Sequence, residues 1–229
     1  MGRSDEANDE KAKTLAFAGT CLFCGESFAK RSMTRHVARC AKRPAGNARV
    51  AYLIIESARW KDFYLHVECD PRATLQALDG LLRDTWLECC GHLSQFTIGG
   101  QRYQSGSGSM FDWDMEPTRP LSTRIEDALA PKGRFSYEYD FGSTTGLVGQ
   151  WHGWVEDTKP ARTPRIVARN RLPHVPCSCC GAAAIQICMF CDDGPLCGGC
   201  LVAHEADCEE GGLLPVVNSP RMGVCSYGG

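Results

Sequence analysis

The sequence predicts an α+β central domain flanked by small zinc-stabilised modules. Three observations carry this prediction. Apolar residues follow the order strand, strand, helix, strand from position 49 to position 98. An aromatic β-hairpin follows near position 135, and cysteine pairs with the spacing of zinc ligands stand on both sides of the central part. The predicted divisions are a disordered leader (1–17), a zinc finger (18–44), the α+β domain (45–172), a two-zinc module (173–210) and a C-terminal tail (211–229).

The first half of the central domain has a pattern of two strands, a helix and a third strand. Strands are predicted over 49–56 and 61–69, and the alternation of Phe63, Leu65 and Val67 with polar residues is typical of a half-buried strand. A helix is predicted over 75–86, with Thr74 or Asp70 as its cap. The third strand, 92–98, ends at a pair of glycines. This order indicates a small sheet with a helix packed across it.

The second half of the domain is predicted to contain a short helix and three more strands. The helix covers 121–129. Residues 135–141 alternate strictly between aromatic and polar side chains, and 147–155 returns as the second strand of a hairpin. The aromatic residues need no role beyond the core of a sheet. The last strand covers 165–168 and leads through two prolines into the C-terminal cysteines.

The first candidate metal site has the pattern Cys-x2-Cys-x11-His-x3-Cys, formed by Cys21, Cys24, His36 and Cys40. Thiolates and an imidazole at such spacing suit tetrahedral zinc. The helix of this finger carries basic residues and no acidic ones. The candidates for contact with phosphate are Lys30, Arg31, Arg35 and Arg39. The same residues equally suit a solvated helix face or a protein contact, and readers of DNA sequence generally use several fingers.

The second metal-binding segment has four ligand pairs within 32 residues, enough for two further zinc ions. Alternating pairs favour an interleaved arrangement, although the spacing leaves sequential pairing open. One ion would be held by Cys177, Cys180, Cys197 and Cys200. The other would be held by Cys188, Cys191, His204 and Cys208. The spacing resembles that of B-box and related cross-brace domains, and filled ligand positions indicate structural metal, so three zinc ions are expected in all.

Composition is that of an ordinary soluble protein, with 43% hydrophobic and 23% charged residues among 229. Apolar runs such as 51–55 are far shorter than a membrane span, and the acidic leader is unlike a secretory signal. Fifteen cysteines, mostly at metal-ligand spacing, indicate a reducing compartment, so we expect a cytoplasmic protein. Net charge is +4 over 1–44, −1 over 45–172 and −5 over 173–229. Only the first module has the charge expected for nucleic acid.

Several stretches together resemble the plasmid pRiA4b ORF-3-like family. The similarity rests on 64–86 with the strand 92–100 after it, on Tyr137-Glu-Tyr-Asp-Phe-Gly142, and on Ala168-Arg-Asn170 running into Cys177 and Cys180. The ending Asn218-Ser-Pro-Arg-Met-Gly-Val-Cys225 also resembles members with this zinc module. The resemblance implies an α+β domain with a ubiquitin-like first half and brings no established activity. Ser143-Thr-Thr-Gly146 departs from the family pattern, in which many members have an acidic residue and a tryptophan.

Enzyme chemistry is weakly indicated. Cys89 and Cys90 stand beside His92 at a helix end, which can activate a thiolate, but such residues are more often partly buried filler. Asp112, Asp114 and Glu116 occupy a Gly/Ser-rich loop that is more typical of solvated acids. None of the familiar phosphate-binding, metalloprotease or serine-hydrolase motifs occurs. The roles of Cys89, Cys90, Cys179 and Cys225 remain open.

The favoured function at this level is a non-enzymatic adaptor that presents rigid zinc modules and the α+β domain to a protein partner. The alternative is binding of DNA, RNA or a ribonucleoprotein through the basic finger. The third hypothesis is an uncharacterised hydrolase or thiol enzyme that uses Asp112, Asp114 or the Cys89–Cys90 pair. The sequence does not identify the partner or the oligomeric state.

Overall fold

The computed structural model describes residues 18–104, 118–157, 163–191, 193–208 and 211–229. The predicted leader 1–17 and the loop with Asp112, Asp114 and Glu116 lie outside these residues. No helix in the described part of the chain is long and apolar enough to span a membrane.

The body of the molecule is a ten-stranded sheet. Its strands are β1 (Ala18–Cys21), β2 (Ser27–Ala29), β3 (Ala48–Ser57), β4 (Tyr64–Cys69), β5 (Ser94–Ile98), β6 (Gln101–Gln104), β7 (Arg119–Pro120), β8 (Arg134–Tyr139), β9 (Thr145–Asp157) and β10 (Arg165–Asn170). Their spatial order is β2-β1-β10-β4-β3-β9-β8-β5-β6-β7. Neighbours are antiparallel except for the parallel pair β6–β7.

A three-stranded sheet and four α-helices complete the described structure. The small sheet has the order β12-β11-β13 and consists of β11 (Gln186–Cys188), β12 (Pro195–Leu196) and β13 (Leu213–Pro215). The helices are α1 (Lys30–Arg39), α2 (Leu75–Leu82), α3 (Ile125–Ala128) and α4 (Gly198–Asp207), and α2 continues into a π-helical turn over Arg83–Leu87. The predicted α+β class is therefore confirmed as a mostly β fold with few helices. The ubiquitin-like first half stays a prediction.

Both faces of the large sheet are covered around β3, β4 and β10, whereas β8 is exposed on one face. Ala51, Leu53 and Ile55 of β3 contribute to the main core, which also includes Leu78 of α2 and Trp86. The intervening residue Tyr52 belongs to a second cluster on the opposite face. That cluster is completed by Cys21, Met33, Val37, Cys40, Val167 and Ala168. Since alternate residues of a strand point to opposite faces, the N-terminal helix α1 covers the side that α2 leaves open.

The prediction that β4 is half-buried was wrong. All six residues from Tyr64 to Cys69 are buried. The polar side of this strand is covered by the finger, where His66 bonds to Tyr52 and Glu68 pairs with Arg43 and Arg165. These hydrogen bonds and ion pairs offset the free-energy cost of burying the polar side chains.

The predicted strands and the long helix are present, with shifted ends. Thr74 caps α2, since its hydroxyl accepts a hydrogen bond from the backbone N–H of Ala77 at 3.2 Å. The helix predicted over 121–129 contains only the four residues of α3. Strands β6 and β7 were not predicted. The short helix therefore begins four residues later than its apolar pattern suggested and ends one residue sooner.

The two ends of the chain are joined to the central domain by backbone pairing and buried contacts. Strand β1 pairs with β10 through Gly19–Asn170 and Cys21–Ala168. In the C-terminal segment, Oγ of Ser219 donates to the carbonyl of Trp86 at 2.6 Å, and Asn218 exchanges hydrogen bonds with Asn170. The finger strands and the C-terminal segment thus form part of the central structure.

Candidate metal centres

The N-terminal Cys/His group forms where β1 and α1 meet. Cys21 lies at the end of β1, Cys24 lies in the following turn, and His36 and Cys40 lie in and just after α1. Their ligand atoms are all within 4.8 Å of one another. The His36 ring stacks on Phe28 with centroids 3.7 Å apart, which orients its Nε2 toward Cys24. Met33 of α1 is fully buried beside this group.

The C-terminal ligands assemble in the interleaved order. Cys177, Cys180, Cys197 and Cys200 form one group, and Cys188, Cys191, His204 and Cys208 form the other. Helix α4 contributes Cys200 to the first group and His204 to the second, one turn further along. Strand β11 contributes Cys188. The structure thus brings together every predicted ligand in three groups.

The spacing within the groups matches a tetrahedral zinc shell. With Zn–S bonds of about 2.3 Å and Zn–N bonds of about 2.0 Å, the tetrahedron edges are roughly 3.8 Å between sulfurs and roughly 3.5 Å between sulfur and nitrogen. The sulfurs of Cys180 and Cys197 are 3.6 Å apart, and those of Cys191 and Cys208 are 3.4 Å apart. Cys24 Sγ lies 3.3 Å from Nε2 of His36. Disulfides, with S–S bonds near 2.05 Å, do not fit these distances.

His204 shows the orientation of a metal ligand. Its Nδ1 donates to Asp193 at 2.9 Å, while its buried Nε2 has no hydrogen-bond partner among the described residues. An imidazole nitrogen of His204 lies within 4.8 Å of the three sulfurs of its group, and Nε2 is the nitrogen that Asp193 leaves available. A carboxylate behind a ligating imidazole fixes the ring and its tautomer, and an otherwise unpartnered buried nitrogen indicates a missing electrophile.

Hydrogen bonds from backbone N–H groups lower the pKa of individual thiols, and the thiolate is the form that binds metal. Hydrogen bonds from the backbone N–H groups of Cys197 and then Cys180 lower the pKa of Cys177 to about 6. Burial raises the pKa of Cys188, but the N–H groups of Phe190 and Cys191 outweigh it and bring the pKa to about 7. The neighbouring thiols then keep their protons to higher pH, as the raised pKa of Cys191 shows. These thiols must lose their protons in order to bind metal, so metal binding releases protons.

The four basic residues predicted for phosphate contact do not share one environment. Lys30 is half-buried, forms a 3.0 Å ion pair with Glu56 and donates to the carbonyl of Lys61. Arg31, Arg35 and Arg39 are exposed on α1, and within the described part of the chain they form no ion pair. Lys30 is therefore already bound within the molecule, and the other three are available to a partner.

The sequence interpretation missed a fourth Cys/His group, formed by Cys89, Cys90, His92 and Cys225. The first three residues were noted together, but as a candidate thiol centre. Cys225 follows them by more than 130 positions, so no local spacing joins it to them. The only available signal was the number of cysteines left over.

These features define a mostly β, α+β protein with Cys/His groups fit for metal binding. The model of the plasmid pRiA4b ORF-3-like protein family matches residues 61–183, more than half of the chain. The chain belongs to this family, as its sequence motifs predicted. The match leaves out the finger, the ligands after position 183 and the C-terminal segment.

Among solved structures, the chain is similar to the crystal structure of a protein of unknown function, MM3350, from Methanosarcina mazei Go1. The two share 14% sequence identity with a TM-score of 0.46, over 54% of this chain and 70% of that chain. No curated protein matches the sequence.

Proposed function

We propose that this protein is a non-enzymatic, zinc-stabilised recognition protein and that the basic N-terminal face binds nucleic acid. The zinc part rests on donor sets of thiolates and imidazoles only, with four ligands in each of the three predicted groups. Such closed sets are typical of structural zinc, whereas catalytic sites leave one position open. Fifteen free cysteines also favour a reducing, cytoplasmic location.

The observation that carries nucleic-acid binding is the exposed arginine row on α1. Arg31, Arg35 and Arg39 succeed one another at intervals of four residues, so their side chains lie along one side of the helix. Lys42 extends the row past the end of the helix and is also exposed. Unpaired cations in a row suit the regularly spaced charges of a phosphate backbone.

A groove continues this basic face onto the sheet. It has a volume of about 670 Å³ and lies between the end of α1 and strands β3 and β9. Arg39, Arg49 and Trp154 line it, and the Arg49 guanidinium stacks 4.8 Å from the Trp154 ring centroid. Trp154 remains 39% exposed. A basic groove with an exposed aromatic ring is typical of single-strand binding, where bases stack on the ring.

Direct titration tests this proposal. Binding of a fluorescein-labelled single-stranded RNA, the matching DNA strand and its duplex is followed by anisotropy between 50 and 200 mM salt. Contacts with three or four phosphates of a single strand predict a log–log salt slope of roughly −2 to −3. Arg35→Glu combined with Arg39→Glu should weaken binding at least tenfold and flatten the slope.

A matched control is available at the far edge of the sheet. Arg119 is exposed in β7, nine strands away from β2, so Arg119→Glu changes the net charge without touching the basic face. It should bind as the wild type does. Binding that is flat with salt, or equal loss in Arg119→Glu and in the α1 variants, would refute a dedicated nucleic-acid face.

A protein partner is the second candidate, and exposed apolar residues of the C-terminal module favour it. Ile185 is 53% exposed and Val202 is 71% exposed. Ile185 lies against Gly198 in the first turn of α4, and Val202 follows one turn later, so the two belong to one patch. The surrounding segment is acidic. An adaptor surface here would bind an apolar, basic site on its partner.

Val202→Glu provides the test of this adaptor surface. A partner that is retained by the wild-type protein in quantitative affinity purification should be lost with Val202→Glu and kept with Arg35→Glu. The opposite pattern would assign that partner to the basic face.

A further inference from the structure

We propose that Cys89, Cys90, His92 and Cys225 bind a fourth zinc ion, and that this ion fastens the C-terminal segment 218–229 to the central domain. The four ligand atoms lie within 4.8 Å of one another. Cys225 Sγ is 3.9 Å from Sγ of Cys90 and 3.2 Å from Nε2 of His92. These distances match those within the three predicted groups and are close to the edges of a zinc tetrahedron.

The surroundings of His92 resemble those of His204, with a longer distance between imidazole and carboxylate, 3.6 Å against 2.9 Å. Nε2 of His92 faces the sulfurs, while Nδ1 lies 3.6 Å from Oδ1 of Asp140. Asp140 is itself fixed, since it accepts hydrogen bonds from Arg221 at 2.7 Å and from the backbone of Gly142 at 3.0 Å. A carboxylate held behind the imidazole is the usual support of a metal-bound histidine.

The backbone at this group is held in an uncommon conformation. Asp140, Cys225 and Ser226 have φ values of 65°, 49° and 56°. Among described residues other than glycine, only Lys132 shares this left-handed region. Such conformations cost free energy and persist where the surroundings impose them. Here they place the Asp140 carboxylate behind His92 and turn Cys225 toward Cys90.

A disulfide does not explain the group, because the sulfurs of Cys90 and Cys225 are 3.9 Å apart. A thiol nucleophile would need a single cysteine beside the histidine. The group instead gathers three sulfurs and one imidazole nitrogen, which together form a complete zinc donor set.

The position of Cys225 in the C-terminal segment indicates that the bound ion would hold this segment on the central domain. The segment before it is packed on the central domain through Ser219, Arg221 and Met222, all of which are buried. A metal bound here joins the two ends of a 135-residue stretch, from Cys90 to Cys225. None of the four ligands is buried, whereas every other group contains at least one buried ligand. This ion should therefore be the first one that a chelator removes.

The test counts ions in the full chain, purified without metal-affinity resin and supplied with zinc. Native mass spectrometry should show four zinc ions in the wild type and three in Cys225→Ser. Cys179→Ser removes an exposed cysteine outside every group and should keep four. Hydrogen exchange in 213–229 should accelerate at least tenfold in Cys225→Ser, with β3 and β4 unchanged.

A second variant, at another ligand of the group, keeps the test interpretable if Cys225→Ser misfolds. Cys90 is exposed, so Cys90→Ser leaves the packing of the C-terminal segment intact and should also lose one ion. Equal ion counts in the wild type and in both cysteine variants would overturn the proposal. So would unchanged exchange of 213–229 after the loss of one ion.

Discussion

Nη2 of Arg221 lies 2.7 Å from Oδ2 of Asp140, although 81 positions separate the two residues. The Arg221 side chain is entirely buried. Its Nη1 also donates to the carbonyl of Ser143 and to the hydroxyl of Thr145. The guanidinium lowers the pKa of Asp140 to about 2, so the pair is charged at neutral pH. A buried ion pair therefore anchors the C-terminal segment on the domain.

Loss of one partner should be costly. Asp140→Asn leaves a buried guanidinium without its countercharge, and we expect it to lower the free energy of unfolding by roughly 3 kcal/mol. Urea unfolding followed by tryptophan fluorescence measures this value. Glu126→Gln is the control, because Glu126 forms only an exposed pair with Arg124 at 3.8 Å and should cost less than about 0.5 kcal/mol. Equal effects of the two substitutions would mean that the buried pair adds no stability.

The C-terminal zinc module should unfold when its metal is removed. Among the described residues, its own buried cluster consists of Cys177, Leu196 and Leu201, which is too little to support a fold. Structural zinc contributes on the order of 10 kcal/mol per site. After chelation we expect hydrogen exchange in 186–208 to rise to the rate of unfolded chain, while β3 and β4 stay protected. Zinc added back should restore protection. A chelated protein that keeps its protection in 186–208 would show that metal is not what holds this module.

Acid should release these ions, and the direction follows from the thiols. Zinc binds thiolates, so protons compete with metal and affinity falls as pH falls. Metal retention, measured after gel filtration between pH 4 and 8, should therefore decrease toward the acid end. Retention that does not change with pH would argue against thiolate ligation.

Local pattern was enough to predict some of these features and not others. The ligands between Cys21 and Cys40, and those between Cys177 and Cys208, lie close together in sequence. A Cys-x2-Cys turn and one helical turn are therefore enough to bring their ligand atoms to one metal site. The alternation in β8 likewise reflects the two-residue period of a strand that is buried on one face only.

Several of the features that were not predicted depend on contacts between residues that are distant in sequence. Pairing of β1 with β10 joins Gly19 to Asn170 by backbone hydrogen bonds, which carry no side-chain signature. Burial of His66 follows from that pairing, since it brings the finger over β4. Cys225 reaches Cys90 only through the path of the folded chain. Sequence periodicity describes one helix or strand at a time, and it does not determine which distant residues come into contact.

Burial of His66 should make stability depend on pH. Burial lowers the pKa of His66 to about 4, below the value of about 6.5 expected in the unfolded chain. Between these values the unfolded state binds the extra proton, so stability is complete above pH 6.5 and falls as pH falls toward 4. The loss should be on the order of 3 kcal/mol. Urea unfolding of wild type and His66→Gln across this range isolates the contribution, since metal release affects both. Parallel curves would contradict the assignment.

Gly149 in β9 lies directly opposite Phe135 in β8, and the aromatic ring lies over the glycine. A methyl group at position 149 would overlap the ring, so Gly149→Ala should displace Phe135 from the core and cost roughly 1–3 kcal/mol. Gly153 in the same strand has open space at the corresponding point, and Gly153→Ala should change stability by less than about 0.5 kcal/mol. Urea unfolding compares the two. If the Phe135 ring causes the destabilisation by Gly149→Ala, the double variant Phe135→Leu with Gly149→Ala should lose less free energy of unfolding than the two single variants together. Additive costs would show that the glycine is needed for some reason other than the Phe135 ring.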